Sequence, residues 1–285
     1  MIVITGAAGF IAANFCKKLN ERGINNLILI DDFKQERKHK NWKNLEYFDK
    51  IQREDFFYWA EQNVKYIDFI FHLGARTDYF STDNTIFEAL NVEYSKRVWS
   101  YATYKRIPLV YATSYLTKDV NHNSLYAKSK YIFDKWLDKQ QKKPPFWAGL
   151  KFFQVYGKNE EHKEENSSFV FKIYKNCMEK KTVISTEINI IQDYIYVNDV
   201  SKVLCYFLNH APQSGIYEVG TGFSRPMATV VDTINRYVKP EQKQILVQQS
   251  KEQHFFYQAD LSKLRKNAYK QAFLTLEQGI KSLLK

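Results

Sequence analysis

The 285-residue chain has only three cysteines, Cys16, Cys177 and Cys205, widely spaced and without a C-x-x-C pair. That pattern excludes a disulfide framework and suits a reducing compartment, where each thiol packs as a small apolar group. No apolar run approaches the length needed to span a bilayer. The chain enters a strand directly from Met1, so no signal peptide is expected and a cytoplasmic location is. Internal repeats, low-complexity tracts and flexible linkers are absent as well. Acidic residues are in deficit, 31 Asp and Glu against 42 Lys and Arg, for a net charge of +11. Such an excess can mark nucleic-acid binding. Here the lysines are spread among Glu and Asp and no nucleic-acid-binding motif occurs, so neither a nucleic-acid nor a membrane partner is expected, nor a metal site. A diffuse positive field suits an anionic small substrate such as a nucleotide diphosphate; a genomic preference for Lys and Asn accounts for it equally well.

What the chain does have is concentrated at its start. Met1 to Thr5 reads as a buried strand, followed by Gly6-Ala7-Ala8-Gly9-Phe10-Ile11-Ala12, a G-x-x-G-x-x-A variant of the dinucleotide-binding fingerprint. Gly6 permits a tight turn, Gly9 lets the backbone approach a pyrophosphate, and Ala12 lets the following helix pack closely on the strand. The N–H groups and dipole at that helix start hold phosphate. A second strand, Leu27 to Ile30, closes in Asp31, about 20 residues on, where a ribose hydroxyl would lie. This half is read as binding a dinucleotide. Lys34, Arg37 and Lys38 follow Asp31-Asp32 as a solvated loop or as a clamp on an adenosine 2′-phosphate, so both NAD and NADP stay open.

Downstream, Ile67 to Leu73 (IDFIFHL) is a continuous apolar run suited to a central parallel strand. It runs into Gly74 and Ala75, which again allow close approach of a ligand. A helix from about Thr85 to Tyr104 carries Asn91, and Pro108 to Ser114 is another buried strand. Trp147 to Phe153 and Gly215 to Gly220 continue the alternation with helices. The fold class expected is α/β, a doubly wound parallel (Rossmann) sheet with a smaller, interleaved α/β substrate domain. The first comprises residues 1–154 with about 192–223 and 254–270. The second comprises about 155–191, 224–253 and 271–285.

Tyr126-Ala127-Lys128-Ser129-Lys130 opens a helix expected over Tyr126 to Gln141. Tyr126 and Lys130 are four apart and share one face. An ammonium near a phenol lowers its pKa and prepares Tyr126 as an acid or base. Ser114, at the end of the preceding strand, completes a group of three beside the nicotinamide.

The segments TGAAGFI, ILIDDF, IFHLGARTD, NVEYSK, YAKSK, WAGLKFFQVYG, EHK, DYIYVNDV, SGIYEVGTG and QADLSKLR, in this order, resemble the extended short-chain dehydrogenase/reductases of the nucleotide-sugar epimerase type. More narrowly they resemble the ADP-L-glycero-D-manno-heptose 6-epimerases. The resemblance implies that Phe10 and Ile11 lie against the cofactor pyrophosphate and that Asp31, Asp32 and Lys38 meet the adenosine ribose. Arg53 stands where the family tends to have a cofactor-contacting Lys. Leu73, Gly74, Ala75, Arg76, Thr77 and Asn91 would line the dinucleotide, and Val155 its nicotinamide side. Tyr126 and a second base matching Lys163 would work on opposite faces of the sugar, inverting C6 through a transient carbonyl. Gln154, Lys163, Lys172 and Gln192 fall at substrate-binding positions, the substrate being a nucleotide-diphosphate sugar, and a homo-oligomer is implied. Several positions depart from the family pattern: Gln154 replaces an Asn, Gln192 an Arg that grips the diphosphate, and Gln253 a Tyr, while Glu164 and Glu165 follow His162-Lys163. Cofactor positions are kept and substrate positions drift, the pattern of a divergent paralogue. A different nucleotide sugar handled by an oxidoreductase or dehydratase, or a non-catalytic NAD(P)-binding protein, are the alternatives. A dehydratase usually needs an acid beside the Tyr-Lys helix or the strand end, and Thr113-Ser114-Tyr115 offers none.

Overall fold

A computed structural model describes residues 1–118, 124–180, 183–186, 189–243, 245–248 and 254–285. Its strands are β1 Ile2–Thr5, β2 Leu27–Asp31, β3 Asp49–Gln52, β4 Phe69–His72, β5 Leu109–Ser114, β6 Trp147–Phe152, β7 Gln154–Tyr156, β8 Val183–Thr186, β9 Asn189–Tyr196, β10 Gly215–Val219, β11 Ser224–Pro226, β12 Ile245–Gln248 and β13 His254–Tyr257. By mutual packing the chain divides into two compact units, Met1–Lys151 with Ser201–Tyr217, and Phe152–Val200 with Glu218–Lys285.

The main sheet runs in the order β10-β6-β5-β4-β1-β2-β3. The pairs β1–β2, β1–β4, β2–β3 and β4–β5 are parallel. Strand order therefore reverses beside β1, which is the switch point where ligands settle in open α/β sheets. The inner strands are apolar runs covered on both faces; every residue of β2 (LILID) is buried, as the doubly wound arrangement requires. Val3, Ile28, Ile70, Trp99, Tyr111 and Phe133 belong to one continuous core. The sequence reading has no strand at β3, because DKIQ is polar. It is an edge strand, and its first two residues are exposed.

The helix expected from Thr85 starts at Asn84, where the Asp83 carboxylate accepts the Thr85 N–H. It continues to Lys105 with one wider π turn at Glu88–Glu93. Such turns insert a residue into the helical ladder and recur at functional sites; this one carries Asn91. The helix with Tyr126 spans Leu125–Asp138, three residues short of the expected Gln141.

The second unit is built around β9. It pairs antiparallel with β11 and parallel with β13 and β7, and β8 pairs with β12. Helices Phe169–Met178, Met227–Asn235 and Leu276–Leu284 pack over a separate core that includes Tyr156, Tyr194 and Tyr196. Asp193, in β9, is fully buried. Its carboxylate accepts from the N–H (2.8 Å) and Oγ1 (2.6 Å) of Thr221, and from the N–H of Gly222 (2.8 Å) and Ala259 (3.3 Å). Burial pushes this carboxyl up while the Thr221, Gly222 and Ala259 donors oppose it. The sequence reading gives Asp193 no role.

Candidate active site

The glycine turn after β1 is held from several directions. Gly6 has φ +70°, a conformation other residues adopt only with strain. A Cβ added there would lie 2.5 Å from the Cα of Gly74. The loops following β1 and β4 thus meet backbone to backbone at two glycines. Gly9 donates to the Gly6 carbonyl at 2.8 Å and begins the helix Phe10–Asn20. No side chain caps that N-terminus and its first turn has no acid, so its amide dipoles fit an external anion such as a pyrophosphate. Phe10 is buried and Ile11 partly so in this first turn.

Asp31, at the end of β2, is buried. Its Oδ2 accepts from the Ala8 N–H at 3.0 Å, while Oδ1 accepts from the Asp32 N–H at 2.7 Å and from Lys38 Nζ at 2.8 Å. The Ala8 carbonyl accepts from Asn41 Nδ2 at 3.0 Å. Asp31 therefore links the glycine turn to the basic loop. The Gln35 amide, the main contributor, holds the Asp32 carboxyl below the usual carboxylate range against the opposing effect of burial, with the Lys34 N–H and the Arg53 and Lys38 cations adding to it. Arg53 itself contacts Glu54 at 2.5 Å.

At the end of β4, the Thr5 Oγ1 hydroxyl meets His72 Nδ1 at 2.7 Å and accepts from the Gly74 N–H at 3.2 Å. Leu73 donates to the Thr5 carbonyl at 3.3 Å. His72 Nε2 meets Ser95 Oγ at 2.8 Å. Burial, aided by the Lys130 charge, lowers His72 to about 3, so the ring is neutral. Leu73, Gly74, Ala75, Arg76 and Thr77 all lie partly exposed along this loop. Asn91 is completely buried, with its amide bonded to the Arg76 backbone and to Ser129 Oγ. The Arg76 guanidinium pairs with Asp78 at 2.7 Å.

Ser114, Tyr126 and Lys130 are all buried and come together where β5 ends against the helix Leu125–Asp138. The Tyr126 phenol makes a hydrogen bond with the Ser114 side chain, and the Tyr79 ring stands edge-on at 5.4 Å. The sequence reading expects a lowered phenol. Instead burial raises it well above its usual value, with Tyr79 and Asp134 adding to the effect and the Ser114 bond opposing it. The Lys130 ammonium is directed to the Ala112 carbonyl at 2.9 Å. Burial brings Lys130 down to about 8, with Asp134 opposing.

The remaining candidates belong to the second unit. Gln154 and Val155 lie in β7, opposite Tyr194 and Ile195 of β9. Gln192 is buried and donates to Tyr194 Oη at 3.0 Å. Lys163 Nζ is 3.4 Å from Glu160. Glu160 is fully buried and also accepts from the Gly157 N–H (3.0 Å) and the Ser168 N–H (2.7 Å) and Oγ (2.8 Å). Lys172 lies nearby in Phe169–Met178; burial lowers it, Glu165 and Glu160 oppose that, and Lys163 reinforces it. Gln253 lies outside the described residues. Among the described residues no group of His, Cys, Asp and Glu is arranged to hold a metal ion, and no helix is long and apolar enough to cross a membrane.

A parallel sheet with a glycine cradle at its switch point and a buried Ser–Tyr–Lys group beside it defines a dinucleotide-dependent enzyme of the extended short-chain dehydrogenase/reductase type. Residues 2–220 match the NAD dependent epimerase/dehydratase family, and the chain belongs to it. It is 33% identical over 324 aligned positions to the ADP-L-glycero-D-manno-heptose-6-epimerase of Fusobacterium nucleatum, covering 99% of this chain and 96% of the relative. It is 31% identical to the enzyme of the same name from Brachyspira hyodysenteriae, with the same coverage. Among solved structures, the Helicobacter pylori ADP-L-glycero-D-manno-heptose-6-epimerase shares the fold with a TM-score of 0.83 at 22% identity, covering 99% of this chain and 94% of that one.

Proposed function

We propose that the chain epimerises a nucleotide-diphosphate sugar, with an ADP-glycero-manno-heptose as first candidate and C6 as the inverted centre. The observation that carries this reading is the buried contact between Ser114 and Tyr126, with Lys130 one turn on. A nicotinamide held at this site would supply the acceptor, and then the donor, of the hydride that leaves and returns to the sugar carbon. Tyr126 takes the hydroxyl proton as the carbonyl forms, and Lys163 is the second base, returning a proton to the oxygen when hydride comes back to the opposite face. Ser114 donates to the oxygen as it gains carbonyl character. Lys130 supplies the charge that makes the phenolate accessible in a buried setting, where burial alone holds the phenol neutral. Inversion requires the carbonyl to present its other face before hydride returns. Gly6, Gly9, Phe10, Ile11, Asp31, Asp32, Lys38 and Arg53, together with 73–77, would hold the dinucleotide, with Val155 on its nicotinamide side. Asn91 acts through the Arg76 backbone rather than by direct contact.

Gln154, Lys163, Lys172 and Gln192 are the proposed substrate residues. The Gln192–Tyr194 bond and the Lys163–Glu160 pair also favour a second reading, in which the same redox group serves another nucleotide sugar. Three buried thiols are consistent with the proposed reducing, cytoplasmic setting, and light scattering of the purified chain checks the proposed homo-oligomer.

The test is to incubate the full-length protein, loaded with NAD or NADP, with ADP-D-glycero-D-manno-heptose and follow C6 by NMR. Inversion that disappears in Tyr126→Phe supports the reading. A protein that binds nicotinamide yet turns over no heptose nucleotide overturns it, and UDP- and dTDP-sugars then distinguish the second reading.

A further inference from the structure

Tyr126, Lys130 and Asp134 are spaced i, i+4, i+8 on one helix face. Asp134 Oδ2 accepts from Thr113 Oγ1 at 3.0 Å and lies 3.9 Å from Lys151 Nζ on β6; the Thr117 side chain is also bonded to the carboxylate. Thr113 sits between Ala112, whose carbonyl receives Lys130, and Ser114. One carboxylate thus ties the catalytic end of β5 to the catalytic helix. Its other oxygen, Oδ1, is buried without a partner among the described residues, and so is Tyr111 Oη on the same face of β5 as Thr113. Both residues line a cavity of about 260 Å³ that also touches Thr117, Lys151 and the exposed Lys135 and Asp138 at its rim. Several water molecules, at about 30 Å³ each, fit such a space and would satisfy the two orphaned atoms.

We propose that Asp134 is a positioning residue of the Ser114–Tyr126–Lys130 group, fixing the end of β5 to the helix and keeping Lys130 charged from a hydrated cavity behind it. Lys130 is buried, and the bond to Ala112 brings it only a dipole. Of the titratable groups around it among the described residues, His72 at the end of β4 is neutral, Tyr126 is a neutral phenol at rest, and Asp134 supplies the opposing charge. Burial raises the Asp134 carboxyl, and Lys151, Thr113, Lys130 and Thr117 oppose that rise. Tyr111 faces it from β5 with its phenol raised. Neutralising Asp134 therefore lowers the pH at which Lys130 loses its proton. This acid belongs to the Tyr–Lys helix itself, four positions after Lys130, and not to the Thr113-Ser114-Tyr115 string.

This inference rests on the proposed role of Lys130, but its test does not need turnover. Full-length protein carrying 13C-lysine is titrated by NMR, the Lys130 signal being assigned by its loss in Lys130→Met. The midpoint is expected to fall by about one pH unit in Asp134→Asn and to return towards wild type in Asp134→Glu. Lys151→Met, which removes a competing cation, is expected to raise it and serves if Asp134→Asn fails to fold. The alkaline limb of kcat/KM should move with the Lys130 midpoint in active protein. A Lys130 midpoint unchanged in folded Asp134→Asn, or in Lys151→Met, overturns the proposal. A shifted midpoint in a protein without heptose turnover upholds Asp134 and rejects only the substrate reading.

Discussion

The Asn91 carboxamide clasps both backbone groups of Arg76: Oδ1 accepts its N–H at 2.7 Å and Nδ2 donates to its carbonyl at 2.9 Å. Nδ2 also reaches Ser129 Oγ, so one buried side chain joins the π turn, the loop 73–77 and the Tyr126 helix. Asn91→Ala leaves those partners unpaired in the interior, at a cost of roughly 2–4 kcal/mol. The expected result is a lower urea midpoint together with weaker nicotinamide binding by titration calorimetry. Unchanged cofactor affinity in the folded variant would remove loop 73–77 from the cofactor site.

Gly6 and Gly23 have nearly the same backbone, φ +70° and +74°. They differ in what surrounds them, since a Cβ at Gly23 meets nothing within 4 Å while one at Gly6 strikes Gly74 backbone at 2.5 Å. Gly23→Ala should lose only the conformational term, about 1 kcal/mol. Gly6→Ala must separate the β1 and β4 loops and is expected to abolish dinucleotide binding, with a stability loss of at least about 3 kcal/mol. Equal losses at the two sites, read by chemical denaturation, would mean that the close approach carries no weight.

That contrast bears on what can be read from sequence. The spacing of Gly6, Gly9 and Asp31 marks a βα turn and a strand end, because turn chemistry and apolar runs are local. The partner of Gly6 is Gly74, sixty-eight positions away, and no local pattern announces it. Tyr126 and Lys130 stand out for the same reason that Gly6 does, a short fixed spacing. Asp134 has that spacing too, yet its weight comes from Thr113 and Lys151 on neighbouring strands. His72 reads as the tail of an apolar strand, and only the fold brings Thr5 and Ser95 to its two nitrogens. The Lys130 neighbour predicts a low phenol at Tyr126; burial, which sequence does not express, moves it the other way.

His72 also makes stability depend on pH. Its ring is lowered from 6.5 to about 3 in the fold, so between these values the unfolded chain binds a proton that the native protein refuses. Stability is present above the unfolded value and is lost as pH falls through this window. From about pH 7 to pH 5 the loss is about 2 kcal/mol. Urea midpoints across that range should show it, and His72→Gln should flatten the slope while lowering stability at neutral pH. A slope that survives the substitution would assign the effect to other groups.

In the proposed cofactor site coenzyme choice would turn on Lys38, which pairs with Asp31 at 2.8 Å beside the exposed Lys34 and Arg37. Anionic Asp31 freed of its partner repels a 2′-phosphate and remains an acceptor for a 2′-hydroxyl. Lys38→Ala is therefore expected to raise the ratio of NADP to NAD dissociation constants by about tenfold, roughly 1.4 kcal/mol. A ratio unchanged or reversed would show that the 2′ position does not lie near this pair.

Lys163 has two possible duties that a single substitution can separate. It sits 3.4 Å from fully buried Glu160, which also anchors Gly157 and Ser168, so its cation helps close the loop. Residue Glu164 directly after it has φ +49°, a conformation unfavourable for a side chain of that kind and worth about 1–3 kcal/mol of strain. Such strain persists where surrounding contacts hold a side chain in a required place. Arginine keeps the charge and the reach to Glu160 but does not give up a proton at accessible pH. Lys163→Arg should then retain the melting midpoint, whereas Lys163→Met should lower it. Under the proposed two-base scheme both variants lose C6 inversion by more than about a hundredfold, within the range of a lost general base. Inversion kept within a few fold by Lys163→Arg would leave the residue a purely structural cation and transfer the second proton transfer to another group, with Lys172, whose ammonium burial already disfavours, the first to be substituted.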